Sequence, residues 1–280
     1  MQFLAEQYAG AVKAAIPAVD MRRSYDRYYD SGLYATRYPV PNPYTLKLVR
    51  DQLGPEGGRV LDFGCGSGRY ALELAQQPGV SVFAYDISPA AIQQLSVGYN
   101  ALAQRVRAVQ LDMLCGSADD LERRLDGEDG FDLIVLLFGV LGHIEGHQRR
   151  VETLRSLRRR LRTGGRLIAT VPNRARRFLA EQQGSQSLVA EGLLEPGDIL
   201  YQRQASDEEI KLYYHLYSPA EFRSELEEAG FAVGRLQPES VLTEQAVLSS
   251  RAGTFVDGLL RRITPAGLMY GFVAVARPVE

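Results

Sequence analysis

Apolar and polar positions change rhythm several times along this chain. Between residues 59 and 171, short runs rich in branched and aromatic side chains alternate with stretches of helical spacing. Segments 59–63, 81–85, 107–111, 131–138 and 166–171 are predicted strands. Segments 68–77, 118–125 and 146–161 are predicted helices, and a further helix opens on Ser88 as N-cap with Pro89 in its first position. The helix over 146–161 would bury Val151, Leu154, Leu157 and Leu161 and stop before Gly164-Gly165. Strands alternating with helices at these lengths require right-handed crossovers and a parallel sheet. Further on, Ser218-Pro219 starts another helix running to Glu228, segments 231–237 and 269–276 read as closing strands, and a helix around 252–262 lies between them.

The flanks are less regular. Phe3, Leu4, Tyr8, Ala11, Val12, Ala15 and Ile16 keep helical spacing and predict an amphipathic helix ending near Pro17. Residues 22–45 hold Tyr25, Tyr28, Tyr29, Tyr34, Tyr38 and Tyr44, with Pro39, Pro41 and Pro43 at alternate positions. The prolines argue against continuous helix or sheet and predict an extended loop. Tyrosine has an apolar body and a polar tip, which suits either a half-buried cover over a ligand or simple surface packing. Residues 173–211 are polar and glycine-interrupted and read as an insertion. The chain thus divides into a cover (1–56), a core (57–172), an inserted lid (173–211) and the rest of the core (212–280).

Composition narrows the class only a little. The chain has 280 residues, 45% of them hydrophobic, and a formal net charge of -2, which argues against a surface that coats nucleic acid. Lys13, Lys47 and Lys211 are its lysines; the remaining positive charge is arginine. Cys65 and Cys115 stand at no metal-like spacing, so no metal is expected and a reducing, cytoplasmic setting fits. No secretory signal or membrane-length apolar run is visible.

The chemistry concentrates where the first predicted strand ends. It runs into Asp62-Phe-Gly-Cys-Gly-Ser-Gly68 with a helix to follow. Glycines there permit a tight turn and close backbone approach to a ligand. The next strand ends in Phe83-Ala-Tyr-Asp-Ile-Ser88, where the Asp86 carboxylate can accept hydrogen bonds from ribose hydroxyls. The loop is G-x-G-x-G rather than the G-x-G-x-x-G of dinucleotide sites, and the acid before it would repel a pyrophosphate. An ammonium-bearing cofactor without phosphate suits Asp62 better. Alternatively, Asp62 caps the following turn.

These residues resemble the first motif of the class I S-adenosylmethionine-dependent methyltransferases. The resemblance covers residues 57–172 well and 212–278 loosely. It implies a Rossmann-like, mostly parallel seven-stranded α/β sheet with helices on both faces and the last strand inserted antiparallel. It also implies S-adenosyl-L-methionine as cofactor, held by Asp62, Gly64, Gly66, Gly68, Asp86 and Ile87. Leu111-Asp112-Met113 looks like the third motif, with Asp112 meeting the adenine amino group and Met113 the ring. The run ending in Phe138 looks like the fourth, which lines the cofactor and substrate side.

Methyl transfer needs alignment and exclusion of water, with a base only where the nucleophile must lose a proton. His143, in Phe138-Gly-Val-Leu-Gly-His-Ile144, is the candidate base, unless it merely packs under the next helix. Tyr25 and Tyr29 from the cover, Tyr214 and His215 beyond the insertion, and Asn173 and Arg174 after the fifth strand are candidate substrate contacts. Arg174, Arg176 and Arg177 would suit an anionic acceptor. The arginines of 149–162 read as a solvated helix face. The leading reading is a small-molecule methyltransferase. Segments Ala35-Thr-Arg-Tyr-Pro39 and Tyr213-Tyr-His-Leu-Tyr217 loosely resemble methyltransferases that finish modified wobble uridines in tRNA, which would put Arg37 beside the cofactor carboxylate. The same cofactor loop would also serve a non-catalytic cofactor-binding subunit or an aminopropyl transferase.

Overall fold

A computed structural model describes residues 19–106, 109–205 and 208–279. The helix predicted over residues 3–16 lies outside the described residues. Among the described residues, three helices precede the sheet: α1 (Met21–Asp30), α2 (Leu33–Arg37) and α3 (Pro43–Leu53). The tyrosine-rich segment is therefore largely helical, not an extended loop. Its prolines fall between helices or at the first position of α3, where Asn42 caps Tyr44 and Thr45 and no N–H is lost. The Asp20 side chain caps α1 by accepting from the Arg23 N–H at 3.1 Å.

The core then follows the predicted alternation: β1 (Gly58–Phe63), α4 (Ala71–Leu74), β2 (Val80–Asp86), α5 (Pro89–Ala103), β3 (Gln110–Cys115), α6 (Ala118–Arg124), β4 (Phe131–Leu136), α7 (His147–Arg159) and β5 (Leu161–Pro172). The helix expected over 68–77 shrinks to one turn, the rest of that segment being turns. The insertion holds the short helices α8 (Leu179–Gly184) and α9 (Gln186–Ala190) and an antiparallel hairpin, β6 (Asp198–Ala205) with β7 (Glu208–His215). Then come α10 (Pro219–Glu228), β8 (Phe231–Val233), β9 (Gln237–Ser240), α11 (Glu244–Ser249), α12 (Arg251–Ile263) and β10 (Gly271–Pro278).

The main sheet runs β3-β2-β1-β4-β5-β10-β8, with β9 also paired to β10. The strands from β3 to β5 are parallel, while β10 runs antiparallel to β5, β8 and β9. The single strand predicted over 231–237 is thus two short ones. Alternate side chains of β1 face opposite cores. Leu61 and Phe63 join a cluster with Leu121, Val151, Leu154 and Phe222 from α6, α7 and α10. Val60 joins one with Val49, Leu74 and Leu95 from α3, α4 and α5. A third cluster joins Tyr28 of α1 to Ile199, Leu212 and Tyr214 of the hairpin, so cover and hairpin pack on each other. Among the described residues, no helix is long and apolar enough to cross a membrane.

Arg150 departs from the solvated face expected of α7. It is only 1% exposed and pairs with the equally buried Glu225 at 2.8 Å and with Glu195 at 2.9 Å. Arg155 and Arg160 of that stretch pair with Glu228 and Glu122. At the end of β5, Asn173 is spent on the backbone. Its amide donates to the Gly267 and Met269 carbonyls at 3.1 and 2.6 Å, and its carbonyl accepts from the Ala175 N–H at 2.9 Å. Asn173→Ala would strand these buried groups, and unfolding in urea is expected to show a loss of about 2–3 kcal/mol.

Candidate active site

The site begins where β1 gives way to the glycine loop. The Gly64 and Cys65 N–H groups donate to the Tyr85 carbonyl at 2.8 and 2.9 Å, which folds the chain back over β2. Gly64 and Gly66 both have positive φ, 78° and 56°. A Cβ on Gly64 would come within 2.6 Å of Val140, and one on Gly66 would run into the Tyr29 hydroxyl. The loop is thus pressed from β4's side and from the cover. Gly68 lies deeper, against Leu95 of α5.

Two acids lie beneath this loop. Asp86 closes β2; its Oδ2 accepts from the Gly66 N–H at 2.8 Å and its Oδ1 from the Ser88 N–H at 2.9 Å. Burial raises its pKa, against the pull of these backbone N–H groups. Asp62 is 2% exposed and its Oδ2 has no hydrogen-bond partner. Burial, then the Asp86 charge, push its carboxyl up to about 7, opposed by the Ala71 N–H. A buried acid with a free oxygen in such a place is unsatisfied until a cation reaches it.

A cavity of about 660 Å³ opens from this crevice. Gly64, Asp86, Ile87, Phe138 and His143 line it, Tyr25, Tyr29 and Tyr34 roof it, and Ala118, Asp119 and Glu122 of α6 close one side. Phe138 follows β4 with a φ of 61°, and its N–H donates to Thr170 Oγ1 at 2.7 Å. His143 ends a 3-10 turn, Val140–His143. Its Nδ1 lies 2.9 Å from the Tyr213 carbonyl, a pure acceptor, so Nδ1 carries the proton and Nε2 is left as the acceptor. The ring stacks on Tyr214 at 4.1 Å and meets Tyr25 edge-on at 5.3 Å. Burial, then the Arg177 charge, lower its pKa to about 4, despite the hydrogen bond to Tyr213. It is therefore neutral at neutral pH.

Other predicted site residues stand elsewhere. Asp112 is an exposed mid-strand residue level with Phe83, three positions before the Asp86 level, so it cannot reach an adenine at the carboxyl edge. Met113 packs into the core cluster of α3–α5. The residues after β3 that do line the cavity are on α6. Arg37 lies against the Tyr38 ring at 5.8 Å and is not part of the lining; Arg69, over Phe138 at 4.6 Å, is the arginine nearer the loop. Arg174 donates to the Pro196 carbonyl at 2.8 Å and pairs with Glu221 at 3.6 Å. His215 is wholly buried on β7, with Nδ1 2.7 Å from Asp198 and Nε2 3.1 Å from Glu221. Burial alone would lower its pKa, but these two carboxylates win and raise it. Neither it nor Asn173 turns to the cavity, and Tyr214 reaches it only through the ring of His143. Asp26, which no sequence motif marks, accepts from Ser88 Oγ at 2.6 Å and from the Ala90 N–H at 3.2 Å and so pins α1 to the start of α5.

The methyltransferase-domain family matches residues 39–236, more than half of the chain. The chain belongs to the class I S-adenosylmethionine-dependent methyltransferases. This methyltransferase is 31% identical over 133 residues to the ubiquinone biosynthesis O-methyltransferase of Xanthomonas axonopodis pv. citri (strain 306), covering 48% of this chain and 51% of that protein. The match therefore spans about half of that relative's length. Among solved structures, the CcbJ methyltransferase from Streptomyces caelestis superposes with a TM-score of 0.63 at 17% identity, over 93% of this chain and 100% of that one. A methyltransferase from Methanosarcina mazei superposes with a TM-score of 0.58 at 19% identity, over 86% and 100%. At such identities the likeness is one of fold.

The residues present fit the family's cofactor, S-adenosylmethionine. The partnerless Asp62 oxygen suits its ammonium, and Asp86 stands at the end of β2 for its ribose. An aspartate whose pKa rises on folding leaves stability intact below its unfolded value near 4 and costs stability as pH climbs towards 7. Asp62→Asn is accordingly expected to raise the melting temperature of the ligand-free protein by about 5 °C at pH 8 and hardly at all at pH 4. The same variant should bind S-adenosylmethionine about ten-fold more weakly by calorimetry.

Proposed function

We propose that this protein transfers a methyl group from S-adenosylmethionine to a small-molecule acceptor inside the tyrosine-roofed cavity. One observation carries the reading: the glycine crevice, through Gly64 and Asp86, and the ring of a neutral His143 line one half-open space. The relative named for ubiquinone biosynthesis supports a small acceptor. The arginines of 149–162 give an RNA acceptor little support, since Arg150, Arg155 and Arg160 are ion-paired.

The cofactor supplies an already activated methyl group, so the protein's own work is alignment, dryness and one proton. Asp62 and Asp86 fix the two ends of the cofactor, with Gly64, Gly66 and Ile87 shaping the crevice. Tyr25, Tyr29 and Tyr34 exclude water, and their buried phenols stay neutral because burial raises each pKa. His143 Nε2 accepts the proton of an acceptor hydroxyl or amine. A weakly basic imidazole is enough, because the acceptor's proton becomes strongly acidic as its lone pair is drawn into the new bond. The low pKa also keeps the ring unprotonated and ready.

Calorimetry should show micromolar binding of S-adenosylmethionine and S-adenosylhomocysteine, lost in Asp86→Ala; a folded wild-type protein that binds neither would refute the reading. With an acceptor found by screening phenols and amines for S-adenosylhomocysteine release, kcat should stay flat from pH 8 to 5 and fall as pH drops through about 4. His143→Gln should lower kcat about a hundred-fold while S-adenosylhomocysteine affinity holds. A loss under ten-fold would reduce His143 to packing.

A further inference from the structure

Beyond His143 and Phe138 the structure holds a buried carboxylate and a half-buried guanidinium that do not satisfy each other. Glu239, on β9, is 8% exposed and its Oε1 has no hydrogen-bond partner. Its place is made by Gly271, where a Cβ would stand 2.6 Å from Oε2. Thr170 donates to it and also accepts the Phe138 N–H, so one side chain separates Glu239 from the cavity lining. Arg177 follows β5, with its guanidinium 4.8 Å from the Tyr270 ring and 6.0 Å from the Tyr214 ring; its Nε also has no partner. Tyr214 in turn stacks on His143. Arg69, a buried cation nearby, is already engaged by Glu244 and the Val40 carbonyl.

A buried carboxylate left unpaired beside a half-buried cation is expensive to keep. We propose that Glu239 and Arg177 form the acceptor subsite and select a zwitterionic amino acid, Glu239 taking its ammonium and Arg177 its carboxylate. This rests on the methyl-transfer reading above. Phe138, Tyr38, Tyr214 and Tyr270 supply flat apolar rings around the pair, which suit an aromatic side chain carried on the same α-carbon as the two charges. Burial, then Glu244, push the Glu239 carboxyl up to about 7, while Arg177, Thr170 and Arg69 hold it down; an arriving ammonium would restore its charge.

The test uses the full-length protein saturated with S-adenosylhomocysteine and three probes: L-tyrosine, tyramine and 3-(4-hydroxyphenyl)propionate. Calorimetry should show L-tyrosine binding at least about ten-fold more tightly than either relative that lacks one charge. Glu239→Gln should erase its advantage over the propionate, and Arg177→Gln its advantage over tyramine. S-adenosylhomocysteine affinity in each variant reports that the fold is kept. If wild type fails to bind S-adenosylhomocysteine, the methyl-transfer reading falls, and this one with it. If it binds S-adenosylhomocysteine but none of the probes, or all three alike, or if the variants shift all probes equally, the zwitterion subsite is overturned alone.

Discussion

Two carboxylates set close together under one glycine loop are the constraint around which this molecule is arranged. Asp62 and Asp86 sit at the carboxyl ends of adjacent parallel strands, both buried, and after burial itself the Asp86 charge makes Asp62 harder to ionise. Backbone N–H groups of Gly66 and Ser88 hold one of them. Ser88, the cap of α5, thus ties that helix start to the crevice, and α1 is pinned to the same helix start through Asp26. The other acid is left without a full complement of donors. Such an arrangement costs stability in the free protein, and proteins keep such costs where function needs them.

Much of the core is legible in the sequence because buried parallel strands and amphipathic helices leave strong periodicities. The loop Gly64 to Gly68, Asp86, and the caps at Ser88 and Ser218 are local features, and the structure places them where local rules put them. Asp112 misleads because a residue's identity does not reveal where a strand ends: β3 continues several residues further than its apolar pattern suggests. In the tyrosine segment the prolines point to a loop, although Met21, Tyr25, Tyr28 and Tyr29 stand at helical spacing and Asp20 is a ready cap. The spacing is the better signal.

What stays hidden depends on tertiary pairing. Nothing local distinguishes the buried Arg150 from its exposed neighbours on α7; its state is set by Glu225, which lies on α10. Nor does a lone glutamate in a short β-strand announce that it will be buried beside a glycine of β10. His215 and Tyr214 are adjacent in sequence but, on a strand, point to opposite faces, so one joins an ion network and the other stacks on His143.

The imidazole of His143 belongs to the sheet by chain connectivity but is held by others: its proton by a carbonyl of the hairpin, one face by Tyr214, one edge by Tyr25 of α1. The inserted hairpin and the cover are therefore not interchangeable modules. A chimera that kept this sheet and borrowed another relative's roof would carry the histidine but not its tautomer or orientation. Moving this histidine together with its setting would take three separate stretches of sequence at once.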